Sequence, residues 1–200
     1  MKLISILISF FLFSLAVKST AQTTNVISGI YLTKDDFKSN KLIEEAECKN
    51  EKEKFERHDF FSRQEFVVIN KGKTVAYQKK DIYAYRDCEN TVWRFYNNKE
   101  YEILETKSIY IYRREQIVMN GIAIEKDPVY YFSNGCGGDL KELSVDNLKL
   151  TYSTNQAFRN MLDAEFKSNK DATNLDQDIY LYDVIHKMYK VNYLFDQSKK

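Results

Sequence analysis

Three cysteines and two histidines are the residues of this 200-residue chain best suited to nucleophilic or metal chemistry. Cys136 lies in "NGCGGD" (134–139), the most turn-like stretch of the sequence, and either His58 or His186 would have to activate it. Activation needs a thiolate and an imidazole within hydrogen-bond reach, and spacing alone does not establish that. The plainer reading of Cys136 is a turn cysteine that is disulfide-bonded or merely exposed. His58 adjoins Asp59 in a charged stretch, and His186 stands among Asp183, Lys187 and Lys190, one position past an apolar stripe. Cysteine spacings of 40 and 48 residues lack the close pairs of a zinc motif, and two histidines cannot make a histidine-rich site. Asp171, Asp176 and Asp178 in "DATNLDQD" offer oxygen ligands at odd spacing. The central glycine and terminal glutamate of an EF-hand loop are missing. Asp176 and Asp178 are better placed to complement the dipole of a following helix. Neither a metal nor a cofactor is expected.

Other signatures are absent from the sequence or explained more simply. There is no G-x-S-x-G elbow, phosphate loop or dinucleotide fingerprint. Acids are too numerous for sequence to nominate a carboxylate pair for glycoside hydrolysis. Tyr83, Tyr85, Trp93, Tyr110 and Tyr112 could form a ring platform that stacks on sugars, the alternative being that these rings are core. Arg86, Arg94, Arg113 and Arg114 interleave with tyrosines, but nearby acids such as Asp87, Glu102 and Glu115 point to cross-strand ion pairs. No nucleic-acid partner is expected.

The N-terminus addresses the chain. Lys2 precedes an uncharged apolar run from Leu3 to Val17, and Ser19-Thr20-Ala21 supplies small residues. This is the pattern of a cleaved secretory signal. The expected mature protein is residues 22–200, secreted or periplasmic, with no transmembrane segment left. Loss of Lys2 and Lys18 takes the net charge from +1 to −1. A near-neutral chain has no broad electrostatic footprint for polyanions. Three cysteines allow one disulfide in any of three pairings and leave at least one thiol over.

Such chemistry would have to be positioned by a sheet and a helical tail. From residue 64 to about 143, short β-branched and aromatic runs alternate with turn residues, which predicts an antiparallel meander. "VISGIYLT" (26–33) adds a strand, Thr33 and Asp36 have capping-box spacing, and residues 44–59 suit a charged helix or a long loop, the loop being preferred. From about 144 to 196 the pattern is helical. Ser144 caps a short helix, Ser153 or Thr154 caps residues 155–167, and a last helix runs from about Asp176 to Phe195 along Ile179, Tyr182, Ile185, Met188, Tyr189 and Tyr193. In "SIYIYRRE", Ile109 and Ile111 face opposite to Tyr110 and Tyr112, and "DIYAYRD" repeats the arrangement. Apolar residues on both faces imply a sheet covered on both sides, with the tail helices expected on the tyrosine face. The fold class is α+β, one domain over residues 22–200: a meander curled into a barrel- or sandwich-like sheet, with two or three C-terminal helices packed on it.

"GIYLTKDDFKSNKL", "DIYAYRD", "WRFYNNKEYEILE", "IYIYRRE", "YYFSNG" and "HKMYKVNYL" together resemble a family of small secreted proteins of Bacteroidetes-type bacteria, over most of residues 28–195. The resemblance implies export into a Gram-negative envelope and brings no activity, cofactor or catalytic residue with it. Two functions follow as expectations. The first is a non-enzymatic envelope protein that binds another envelope protein or a glycan. The alternative is a small secreted hydrolase using a carboxylate pair or Cys136.

Overall fold

In a computed structural model, residues 26–48, 54–56, 64–70, 72–120, 123–166 and 178–200 are described. Strands β1 (Ile27–Tyr31), β2 (Ile43–Glu47), β6 (Ala84–Arg86), β7 (Val92–Tyr96), β8 (Lys99–Thr106), β9 (Ile109–Asn120), β10 (Ala123–Asn134) and β11 (Lys141–Glu142) form one antiparallel sheet in the order β11-β10-β9-β8-β7-β6-β1-β2. Its edges, β11 and β2, do not pair, so the sheet stays open instead of closing into a barrel. A second sheet of β3 (Lys54–Glu56), β4 (Glu65–Asn70) and β5 (Lys73–Gln78) makes part of the molecule sandwich-like. Residues 44–59 therefore contribute β2 and β3, where the charge pattern had indicated loop. In β2 the buried residue is Ala46 among three glutamates, so this short edge strand carries almost no apolar pattern.

The turns explain the register. Asn97 and Asn98 have φ of 50° and 60° between β7 and β8. Two left-handed residues match the right-handed twist of a tight hairpin, and asparagine tolerates them. In β8 the register slips between Ile103 and Glu105, so Leu104 is the extra residue of a bulge. The slip puts Glu105 opposite Ile111, on the isoleucine face of the sheet.

That isoleucine face receives the tail, and this corrects the expectation that the tail would cover the tyrosines. Ile109, Ile111 and Phe132 are fully buried against Leu148 of α2 (Val145–Thr151), Phe158, Leu162 and Phe166 of α3 (Gln156–Phe166), and Val191 of α4 (Lys190–Gln197). The physical reason is polarity. Aliphatic side chains can be sealed dry, whereas each buried phenol needs a hydroxyl partner. The other end of the same face is covered by the second sheet, through Phe66 and Val68 on Ile30, Ile82, Tyr85 and Phe95. A buried ion pair also joins the sheets there: Lys79 Nζ lies 3.3 Å from Glu100 Oε1, whose partner oxygen accepts the Tyr85 hydroxyl at 2.8 Å.

Local signals set the helix starts. Helix α1 (Lys34–Lys38) begins with the expected box: Thr33 Oγ1 accepts the Asp36 amide and Asp36 accepts the Thr33 amide, both at 3.0 Å. Ser144 caps α2. For α3 the cap is Asn155, not Ser153 or Thr154; its Oδ1 accepts the Phe158 amide at 3.0 Å, and its Nδ2 donates to Ser198 Oγ at 2.9 Å. Asn155→Ala is expected to lower unfolding free energy by about 1 to 2 kcal/mol, and Thr154→Ala by less than about 0.5 kcal/mol. Urea denaturation of the two variants checks the assignment.

The long last helix is also corrected. Asp178–Tyr180 is a single 3-10 turn, β12 (Tyr182–Asp183) and β13 (Met188–Tyr189) form a hairpin, and only Lys190–Gln197 is α-helical. Asp183 explains the break: its Oδ1 accepts the amides of Ile185 and His186, each at 2.9 Å. A carboxylate that takes these donors offers the backbone a turn in place of a helix. Cys48 and Cys88 are joined in a disulfide that ties the end of β2 to the turn after β6, while Cys136 is free.

Candidate functional site

The sheet face opposite the tail is lined by tyrosines gathered around one cation. Arg94, on β7, is 5% exposed. Its guanidinium lies 5.2 Å from the ring centre of Tyr83, 5.4 Å from Tyr96 and 5.5 Å from Tyr112. Nη1 donates to the Tyr112 hydroxyl at 2.9 Å and more weakly to Ser133 Oγ at 3.4 Å, and Nη2 donates to the Gly138 carbonyl at 2.9 Å. Its polar partners among the described residues are thus neutral, and Nε is buried without one. The rings' negative faces supply the compensation that a carboxylate usually gives.

The "NGCGGD" stretch lies over this layer. Tyr83 donates to the Cys136 carbonyl at 2.7 Å, Ser133 to the Gly135 carbonyl at 2.7 Å, and Tyr96 to Asp139 Oδ1 at 3.1 Å. Gly135 has φ +69°, and a Cβ on Gly138 would stand 2.8 Å from the Asn134 carbonyl oxygen. These two glycines let the loop turn tightly enough to sit on the rings. Phe37 of α1 packs beside it on Tyr31 and Tyr83, both at 5.4 Å between ring centres. Burial pushes the Tyr83 phenol far above its ordinary range, neighbouring Tyr112 adds to the shift, and Arg94 offsets part of it. Tyr110 is likewise raised, by burial first and then by Cys136 and Tyr112. Phenols held protonated in this way are structural donors, not general bases at neutral pH.

The residues singled out for chemistry are dispersed. Cys136 is buried under its loop on the tyrosine face. His186 belongs to the β12–β13 hairpin on the other face, with Nδ1 2.7 Å from Asp183 Oδ2 and its ring stacked 3.9 Å from Tyr193. The sheet separates the two. His58, Asp171 and Asp176 lie outside the described residues, and Asp178 opens the 3-10 turn before the hairpin. Among the described residues no three of histidine, cysteine, aspartate and glutamate gather as metal ligands would. The five aromatic candidates divide between faces. Tyr85 and Trp93 lie within the core on the isoleucine face, with Trp93 Nε1 donating to Asp87 at 2.8 Å. Tyr83, Tyr110 and Tyr112 lie on the other, where Tyr112 is fully buried. They do not make one platform.

What the sequence reading missed is the hairpin tip. Leu181, Tyr182, Val184 and Ile185 are exposed, Val184 by 77% and Ile185 by 88%. The turn that carries them is fixed by the Asp183 side chain, and the amide and ring of His186 hold that carboxyl below its ordinary range. Lys107 Nζ donates to the Lys187 carbonyl at 3.3 Å, bracing the hairpin against the turn between β8 and β9. The sequence does carry the signal: Val184 and Ile185 are adjacent, so a helix burying Ile185 would leave Val184 off the stripe. No protein-family model, curated protein or solved structure matches this chain.

Proposed function

We propose that the protein is a non-enzymatic exported envelope protein that acts as a binding module, with the β12–β13 hairpin tip as its contact element. The carrying observation is the cluster of exposed apolar side chains at Leu181, Tyr182, Val184 and Ile185. Single exposed apolar residues are ordinary, but several on one rigid turn are a contact surface in search of cover. Export is supported by the N-terminal secretory pattern and by the Cys48–Cys88 disulfide, which suits an oxidising compartment. Among the described residues no helix is long and apolar enough to cross a membrane. The placement of Cys136 and His186 on opposite faces weighs against the thiol hydrolase.

The test is co-sedimentation of residues 22–200 with isolated Gram-negative envelopes. The wild-type chain is expected to pellet with them, and Val184→Asp/Ile185→Asp to do so at least about tenfold less, since two apolar contacts are lost. Equal pelleting of the two proteins, or none by either, overturns the reading.

A further inference from the structure

We infer that the tip of the β12–β13 hairpin is an anchor for an anionic lipid surface, an inference that rests on the binding role proposed above and names its partner. The order of side chains along the hairpin is the first reason. Val184 and Ile185 form the apex, Tyr182 and Leu181 stand behind them, and Lys107 and Lys187 flank the base, exposed and without an acidic partner among the described residues. An aliphatic apex with an aromatic and cationic collar is what the boundary between acyl chains and headgroups accommodates.

The second reason is backbone polarity. A turn entering a poorly hydrated layer must satisfy its own amides, since lipid offers no partner. Asp183 already holds the N–H groups of Ile185 and His186, and Lys107 already serves the Lys187 carbonyl. One carboxylate, Asp183, stands against the two lysines, so residues 181–187 with Lys107 keep a net positive charge. What favours lipid over a protein groove is the lysine collar around the apolar apex. Because the mature chain is near-neutral overall, apolar insertion carries most of the binding, and the lysines select anionic over zwitterionic lipid.

The experiment is sedimentation of residues 22–200 with protein-free vesicles, one set of phosphatidylethanolamine with phosphatidylglycerol and one of phosphatidylcholine alone. Wild-type protein is expected to partition onto the anionic set. Val184→Asp/Ile185→Asp lowers that partition at least about tenfold, and Lys187→Glu, which leaves the Lys107 brace in place, lowers it about tenfold on the anionic set with little change on phosphatidylcholine. Leu150→Asp, at an exposed apolar position of α2 and outside the hairpin, leaves it unchanged. Failure of the wild type to bind either vesicle overturns the lipid assignment, as does equal binding by the apex variant. Tip-dependent pelleting with whole envelopes but none with vesicles overturns the lipid and keeps the binding module. Absence of both overturns both.

Discussion

Replacing Asn192 with alanine is expected to lower the unfolding free energy by about 4 kcal/mol, because several buried polar groups lose their partner at once. Asn192 lies at the start of α4 and is fully buried. Its Oδ1 accepts the Ile109 amide at 2.8 Å, and its Nδ2 donates to the Ile109 carbonyl at 2.7 Å and to Glu105 Oε2 at 2.6 Å. The side chain thus pairs with Ile109, the first residue of β9, as a peptide group would. Alanine leaves Ile109 unpaired and Glu105 with the Tyr189 amide, at 3.1 Å, as its remaining partner. Asn192→Asp is expected to cost more than alanine, since a carboxylate donates nothing and repels Glu105. Urea denaturation measures the loss, and hydrogen exchange should show the α4 amides opening before those of β9. A loss below about 1 kcal/mol would show that packing of Val191 and Leu194, not this clamp, holds the tail.

The Asn192 clamp also shows what could be read in the residues and what could not. Strand positions from β4 to β8 were legible because β-branched and aromatic runs stop at turn residues, and the Thr33–Asp36 box and the Ser144 cap because their partners sit within three residues; β9 and β10 are instead two twelve-residue strands where the pattern reads as three shorter runs. The alternation of Ile109 and Ile111 with Tyr110 and Tyr112 correctly implied cover on both faces. Which cover goes to which face was not legible. It depends on the Leu104 bulge, which sets Glu105 beside Asn192, a contact 87 residues apart in the chain. The same holds for Cys48 and Cys88, which the β1–β2 and β1–β6 pairings bring together. In the tail, residues 179–189 suit a helical stripe and a short hairpin about equally. One side chain, Asp183, decides between them, and the hairpin tip was overlooked for that reason.

Arg94 is where the tyrosine face is most vulnerable. Arg94→Ala is expected to cost about 4 kcal/mol, from lost cation–ring contacts, charge-assisted hydrogen bonds and buried volume. Arg94→Lys should cost about 2 kcal/mol, because one ammonium cannot reach both the Tyr112 hydroxyl and the Gly138 carbonyl in the plane of a guanidinium. The two variants separate charge from geometry. If Lys restores full stability, the charge among the rings is sufficient; if Lys equals Ala, the fork is everything. Tyr112 and Ser133 keep each other's hydroxyls at 2.9 Å in either case, so the group left without its donor is the Gly138 carbonyl. The 134–139 loop should therefore loosen first, and Cys136, the free thiol beneath it, reports the loosening. Maleimide labelling of Cys136 is expected to be slow in the native protein and to accelerate about tenfold or more in Arg94→Ala under conditions where it remains folded, since local opening exposes the thiol without global unfolding. Unchanged labelling in a destabilised Arg94→Ala would mean that the Tyr83 and Tyr96 hydroxyls hold the loop without the cation.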